Sequence, residues 1–135
     1  MLKLSKKSEY ALRALLTIAR NPAQLHTIPQ ISQNSDVPPK FLEQILLSLR
    51  HAGILESRRG AGGGYMLSRN PASIRLLEAI EAVEGKNLLL TEKMDDAVGK
   101  YFHELAQDLL KKFNSTTLED LLILESNLAA GNYEI

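Results

Sequence analysis

The sequence predicts a mainly α (α+β) fold, in which helices surround one small β-hairpin. Apolar residues recur at three- and four-residue spacings over most of the chain, as on the buried faces of amphipathic helices. Two such runs, residues 28–34 and 39–52, are separated by a short polar turn. A glycine cluster at residues 60–64 then lies between two short strand-like runs, which is typical of a hairpin. Helix, turn, helix and hairpin in this order predict a winged helix-turn-helix.

Composition indicates one compact domain. The chain has 135 residues and is 44% hydrophobic, which is enough to bury a core. No apolar run approaches the roughly 18 residues of a membrane span, and the N-terminus does not resemble a signal peptide. The absence of cysteine excludes disulfides, thiolate zinc sites and cysteine-ligated iron–sulfur clusters. We therefore expect a cytoplasmic protein that does not contact a membrane and carries no cofactor.

Charge is distributed unevenly along the chain, although the formal net charge is +0. Residues 1–70 carry 10 basic and 4 acidic side chains, whereas residues 71–135 carry 6 basic and 12 acidic ones. The first segment is therefore +6 and the second −6. A positive N-terminal segment favours binding to phosphates. Chance segregation of charge is the alternative.

The N-terminal helices have recognisable boundaries. Residues 5–20 form an amphipathic pattern, and Lys6 and Lys7 stand at its start, where the helix dipole disfavours cations. Their position suggests an anionic partner, with a solvated lysine cluster as the alternative. Thr27 and Gln30 have the spacing of a capping box, so a short helix is predicted to follow.

The helix predicted at residues 39–52 separates into an apolar and a polar side. The apolar side comprises Phe41, Leu42, Ile45, Leu46, Leu49 and Ala52, and the polar side comprises Lys40, Glu43, Gln44, Ser48, Arg50 and His51. In a helix-turn-helix the first turns of the second helix reach base edges in the major groove, which selects Lys40, Glu43 and Gln44. Lysine can donate to guanine or phosphate, glutamine can pair with adenine, and glutamate can accept from the cytosine amino group. A solvated helix face is the alternative.

The hairpin follows directly, with strands predicted at residues 54–57 and 65–69. Arg58 and Arg59 stand at the entrance to its glycine-rich turn, residues 58–64. A nucleotide-binding loop is excluded, because the turn lacks Gly-Lys-Ser/Thr and leads into a strand instead of a helix. The interpretations that remain are a wing that contacts nucleic acid and an ordinary solvent-exposed hairpin.

Five stretches together resemble the Rrf family of bacterial winged-helix transcription regulators. They are YALRAL at 10–15, FLEQIL at 41–46, LRHAGIL at 49–55, SRRGAGGGYML at 57–67 and EAVEG at 81–85. The resemblance implies a homodimeric DNA-binding regulator, whose base-contacting helix corresponds to Lys40, Glu43 and Gln44 and whose minor-groove arginine corresponds to Arg59. In the sensing members three cysteines after the final glycine ligate an iron–sulfur cluster. Residues 86–93 of this chain contain no cysteine, so the resemblance implies a member without a cluster.

The C-terminal segment predicts three more helices. The first spans residues 73–84, and the second spans about 91–113 with an apolar seam of Met94, Val98, Phe102, Leu105 and Leu109. This seam suits packing against a second copy of the helix, with packing inside the monomer as the alternative. The last helix is predicted from a capping box at Thr116 and Glu119 to about residue 128, with Leu118, Leu121, Leu122 and Leu128 inward.

The patterns and the resemblance lead to a leading functional hypothesis, a homodimeric, sequence-specific DNA-binding regulator that recognises an inverted-repeat operator. We expect a repressor, with an activator as the alternative. Residues 1–85 would form the winged helix-turn-helix domain, and residues 86–135 would form the dimerisation and C-terminal helices, packed with it as one unit. The predicted DNA contacts are Lys6, Lys7, Lys40, Glu43, Gln44, Arg50, Arg58, Arg59, Gly60 and Tyr65. The predicted dimer contacts are Val98, Phe102, Leu105 and Leu109.

Two questions remain open at the level of the sequence. The same surface could bind an acidic protein partner, as a winged-helix interaction module. The controlling signal could be a small molecule, a regulatory protein or the concentration of the protein itself.

An enzyme is not expected, because no nucleophile–base pair, metal set or carboxylate pair emerges. The histidines at positions 26, 51 and 103 are isolated, which favours structural or surface roles.

Overall fold

The computed structural model describes residues 5–86 and 95–131 and confirms a mainly α winged-helix fold. The described residues form six helices, which are α1 (Lys6–Ala19), α2 (Ile28–Ser35), α3 (Pro39–His51), α4 (Leu76–Glu84), α5 (Ala97–Ser115) and α6 (Leu118–Ala129). Strands β1 (Leu55–Arg58) and β2 (Gly64–Leu67) pair in an antiparallel hairpin between α3 and α4. None of these helices is long and apolar enough to cross a membrane.

The turn between α2 and α3 is set by local hydrogen bonds and one backbone conformation. The predicted capping box starts α2, since Thr27 Oγ1 accepts from the Gln30 amide at 3.3 Å and Gln30 Oε1 accepts from the Thr27 amide at 2.9 Å. Asp36 ends the helix in the left-handed region at φ 60°. Pro39 then lies in the first turn of α3, where its missing N–H costs no hydrogen bond. These features orient α3 relative to α2.

One apolar core joins the helix-turn-helix to the C-terminal helices. It is built from residues of α1, α2, α3, β1, β2, α4 and the start of α6, including Leu15, Ile18, Ile31, Leu42, Leu46, Leu49, Leu55, Leu67, Ala79 and Leu118. On the surface, Arg20 at the end of α1 donates to Glu125 of α6 through Nε at 2.8 Å and Nη2 at 2.6 Å. The hydrogen bond from Arg20 lowers the pKa of Glu125 below its ordinary value.

The fourth helix begins later than predicted. A 3₁₀ turn at Pro71–Ser73 precedes it, and the backbone at Ile74 and Arg75 is extended. This short segment pairs with the start of α6, because the Leu118 amide donates to the Ile74 carbonyl at 2.9 Å. Arg75 and Thr117 form an isolated antiparallel β-bridge, and residues held in it cannot adopt helical dihedral angles, so the predicted start at residue 73 was wrong.

The last two helices also differ from prediction at their ends. Asp96 caps α5, so residues 95 and 96 are not helical, and the predicted seam residue Met94 lies outside the described residues. The capping box of α6 uses Thr117 and Asp120, one residue later than predicted. Leu128, predicted to point inward, is instead 53% exposed in the last turn of α6.

The end of β2 next to the turn is fastened to the connection between α1 and α2. Tyr65 and His26 exchange two backbone hydrogen bonds, each 2.8 Å long. The neighbouring Gly64 has a φ of 149°, and a Cβ at this position would lie 2.5 Å from the His26 carbonyl oxygen. Glycine is therefore required here both for its backbone conformation and for the close approach.

We expect Gly64→Ala to destabilise the protein by more than about 2 kcal/mol, because the new methyl group must displace backbone atoms. Gly62→Ala is the matched control, since Gly62 also has a positive φ, of 76°, but a Cβ there meets nothing within 4 Å. Its cost should be about 1 kcal/mol. Urea denaturation of both variants compares them directly, and equal losses would show that the contact with His26 is unimportant.

Candidate nucleic-acid interface

The polar side of α3 faces solvent along its first turns. Lys40, Glu43 and Gln44 are all exposed, whereas Leu42 and Ile45 on the other side are buried. The amphipathic division predicted for this helix is therefore present except at Phe41 and at Ala52, which is exposed just beyond the end of α3. Leu47 is 40% exposed within the polar side, so its apolar side chain can also contact a molecule that binds this face. Together these side chains offer donors, acceptors and one apolar contact.

Phe41 was predicted to be buried, and the structure places it at the surface with 41% of its area exposed. It lies at the edge of the apolar arc of α3, where its ring packs against that of Tyr10 with centroids 5.5 Å apart. Lys40 Nζ lies 4.9 Å from the centroid of the same ring. This cation–π contact, which sequence reasoning missed, holds Lys40 at the start of α3. In the sequence, the adjacency of Lys40 and Phe41 could have indicated this contact.

The tip of the hairpin carries two arginines that extend into solvent. Arg58, Arg59 and Gly60 are exposed, and Gly60 has a φ of 93° in the turn. The turn is closed by a hydrogen bond of 3.0 Å from the Gly63 amide to the Gly60 carbonyl. Within residues 5–86 and 95–131, neither arginine forms an ion pair. Both guanidinium groups can therefore donate to an external anion.

Two other predicted contact residues are engaged inside the protein. Arg50 is partly buried and donates from Nη1 to Ser57 Oγ at 3.1 Å, which ties the end of α3 to β1. Tyr65 is partly buried against the core, and its backbone is paired with His26. These placements favour positioning roles, in which Arg50 ties the hairpin to α3 and Tyr65 ties it to the connection between α1 and α2.

The N-terminal lysines differ in their surroundings. Lys6 Nζ pairs with Glu9 Oε2 at 3.0 Å, and this hydrogen bond raises the pKa of Lys6 above its ordinary value. Lys7 is exposed and forms no ion pair with any described residue. An external phosphate would therefore compete with Glu9 for Lys6 but would meet no such competitor at Lys7.

An apolar face on α5 is exposed among the described residues. Val98, Tyr101 and Phe102 are 52%, 63% and 50% exposed. Leu105 and Leu109 are partly buried and continue the face along the helix. Because half-exposed aromatic and aliphatic side chains aligned on one helix are unusual on a monomeric surface, this face suits a protein partner.

The described residues contain no group of three or more His, Asp or Glu side chains that could hold a metal ion. His26 is buried, and its Nε2 lies 3.0 Å from the Asn21 carbonyl oxygen. This contact gives His26 a structural role.

One known protein family matches most of this chain. A family profile described as Rrf2, iron-dependent transcriptional regulator, matches residues 4–123. This chain belongs to the Rrf2 family. The resemblance inferred from the five sequence stretches is thereby confirmed, and the chain is a transcriptional regulator and not an enzyme.

Other transcriptional regulators are similar to this chain over most of its length. This chain is 35% identical over 147 residues to the rrf2-like HTH-type transcriptional regulator of Rhodobacter capsulatus, and the alignment covers 96% of this chain and 94% of that one. It is 31% identical over 123 residues to CymR of Bacillus subtilis, covering 89% of each. The structure of that CymR, the global cysteine regulator, aligns with a TM-score of 0.81 at 32% identity, covering 90% of this chain and 96% of CymR. The IscR of T. potens aligns at 0.76 with 31% identity, covering 90% and 86%.

The donor atoms of this family member do not fit a cysteine-ligated iron–sulfur cluster. Such clusters are held by thiolates, and the whole chain contains no cysteine. Residues 87–93, which correspond to most of the segment that carries the cysteines in sensing members, lie outside the described residues.

Proposed function

We propose that this Rrf2-family regulator is a homodimeric repressor that binds double-stranded DNA at an inverted-repeat operator, without an iron–sulfur cluster. The proposal rests on one observation, that two exposed surfaces follow each other in the chain. The polar side of α3 is solvent-exposed, and the hairpin that follows it presents two arginines with no ion-pair partner in the described chain. A helix beside a basic wing is the arrangement that contacts a major groove and the adjoining backbone or minor groove.

In the major groove, α3 would supply direct contacts to bases. Lys40, held by the Phe41 ring, would donate to guanine or to a phosphate. Gln44 would pair with adenine, and Glu43 would accept from the cytosine amino group. A carboxylate near phosphates is repelled unless it finds such a donor, so Glu43 would act mainly by excluding other sequences.

Beside the major groove, the wing would extend Arg59 into the minor groove. A·T-rich sequence narrows that groove and strengthens its negative potential, which favours an inserted arginine. Arg58, Lys6 and Lys7 would contact phosphates and position the protein without specifying sequence. The Gly60 backbone would allow the tip of the wing to approach the DNA closely.

Two copies would pair through the apolar face of α5. Val98, Phe102, Leu105 and Leu109 would pack against the same residues of a second chain, as a two-fold symmetric interface requires. Residues 1–85 would then bind DNA, while residues 86–135 would join the two chains. In such a dimer the two α3 helices would lie about 34 Å apart, one turn of DNA.

Glu43→Ala should relax base preference at one position of each half-site by about tenfold or more, while binding to unrelated DNA becomes tighter. Selection from a random DNA library with the wild type and the variant measures both effects. Glu56→Ala is the matched control, because it removes an exposed carboxylate from β1 and not from α3. Unchanged base preferences in Glu43→Ala would rule out the assigned contact to cytosine.

A further inference from the structure

Leu47 lies in the middle of the polar side of α3. Successive residues of a helix are turned by about 100°, so Leu47 leaves the axis only about 20° from the direction of Lys40. It lies between the directions of Glu43 and Gln44, and His51 follows one turn later. The four polar residues are all exposed, and Leu47 is 40% exposed and lies outside the apolar core. A leucine therefore occupies the centre of the surface proposed to face DNA.

The position of Leu47, more than its exposure, indicates a role. Single exposed leucines are common on protein surfaces and need no special explanation. Leu47, however, completes an i, i+3, i+4, i+7 series with the three predicted base contacts, which are Lys40, Glu43 and Gln44. Homeodomain helices contact DNA in the major groove through residues at this same spacing. A helix that places the first three residues against bases thus brings Leu47 to the bases as well.

The chemistry of the major groove determines which base a leucine can select. Among the groups that distinguish base pairs there, the 5-methyl group of thymine is the apolar one, and the others are hydrogen-bond donors and acceptors. A leucine against a donor or acceptor would remove water from that group without replacing its hydrogen bond, which is unfavourable. Against a thymine methyl group, two apolar surfaces are removed from water together, which is favourable.

We propose that Leu47 contacts the 5-methyl group of a thymine in each half-site and selects a T·A pair at that position. This contact rests on the DNA-binding function proposed above. The axis of α3 rises roughly 4.5 Å from Gln44 to Leu47, and successive base pairs are about 3.4 Å apart. The thymine is therefore expected within about two base pairs of the base that Gln44 contacts.

Replacing thymine by uracil tests the methyl contact, because uracil lacks only that methyl group and pairs with adenine in the same way. The probe is the operator selected by the protein from a random DNA library, with each thymine replaced in turn by deoxyuridine at the same position of both half-sites. At one position the replacement should weaken binding by about tenfold, or about three- to fourfold for each half-site. Fluorescence anisotropy with the wild type measures this penalty, so the scan requires no change in the protein.

Leu47→Ala assigns the methyl contact to this side chain. Alanine favours the helix but is too short to reach the same methyl group. The variant should bind the thymine operator about tenfold or more weakly than the wild type, and it should bind the thymine and uracil operators equally well. Ile123→Ala is the matched control, because it shortens an aliphatic side chain that is 52% exposed on α6. It should retain the full uracil penalty.

The possible outcomes distinguish this contact from DNA binding itself. If the wild type binds its operator specifically and tolerates uracil at every position, the contact is overturned and the proposed function stands. A uracil penalty of the same size in the wild type and in Leu47→Ala would also overturn it, since another group would then contact the methyl. A selection that yields no preferred sequence would overturn the proposed function, and the contact with it.

Discussion

Arg59→Ala is expected to weaken operator binding by about tenfold or more and to lower the salt slope by about one. The arginine is exposed at the tip of the wing and has no ion-pair partner among the described residues, so its charge is available to DNA. Each cation that neutralises a phosphate releases bound counterions, which is why its loss changes the dependence on salt. Fluorescence anisotropy of labelled operator DNA over a series of salt concentrations measures both quantities.

Lys111→Ala is the matched control for this measurement. It also removes one exposed positive charge, but from α5, on the acidic half of the chain. If only net charge matters, both variants should change the slope equally. An unchanged slope in Arg59→Ala would exclude the wing from the DNA contact, and equal changes in both variants would exclude a specific role for Arg59.

Phe102→Glu is expected to convert the proposed dimer into a monomer and to weaken operator binding by about 100-fold or more, because each half-site would then bind independently. Phe102 is 50% exposed in the centre of the apolar face of α5, so a charge there would be buried only in a dimer. Sedimentation velocity reports the mass of the particle, and anisotropy reports the affinity.

Gln107→Glu introduces the same charge on another side of α5, where the side chain is exposed. It should leave both mass and affinity unchanged. Circular dichroism should show the same helix content in both variants, since neither residue belongs to the core. A Phe102→Glu protein that remains a dimer would contradict the assignment of this face.

Local patterns were sufficient to predict most of the fold. The capping box at Thr27 and Gln30 and the glycine turn beginning at Gly60 depend on neighbouring residues, and both are present in the structure. The start of α4 could not be predicted, because the extended backbone at Ile74 depends on pairing with Leu118, which is distant in sequence. Long-range backbone pairing leaves no periodic signal in a single chain.

Most of the candidate nucleic-acid interface could also be predicted from local sequence patterns. The exposed positions on α3 followed from helical periodicity, and the arginines of the wing followed from their place beside the glycines. Periodicity did not reveal that Phe41 lies under Lys40, because a residue at the edge of an apolar arc can turn either way. The link between His26 and the wing also required the structure, since the two segments are far apart in the chain.

Competition between DNA sequences at physiological salt tests whether this protein binds DNA with sequence specificity. Gel shifts with genomic fragments identify a bound site, and unlabelled copies of that site then compete against a scrambled sequence of equal length. The predicted result is an inverted-repeat site that competes at least about 1,000-fold better than the scrambled DNA. Equal competition by both would contradict sequence-specific binding and favour a winged-helix module that binds an acidic protein partner.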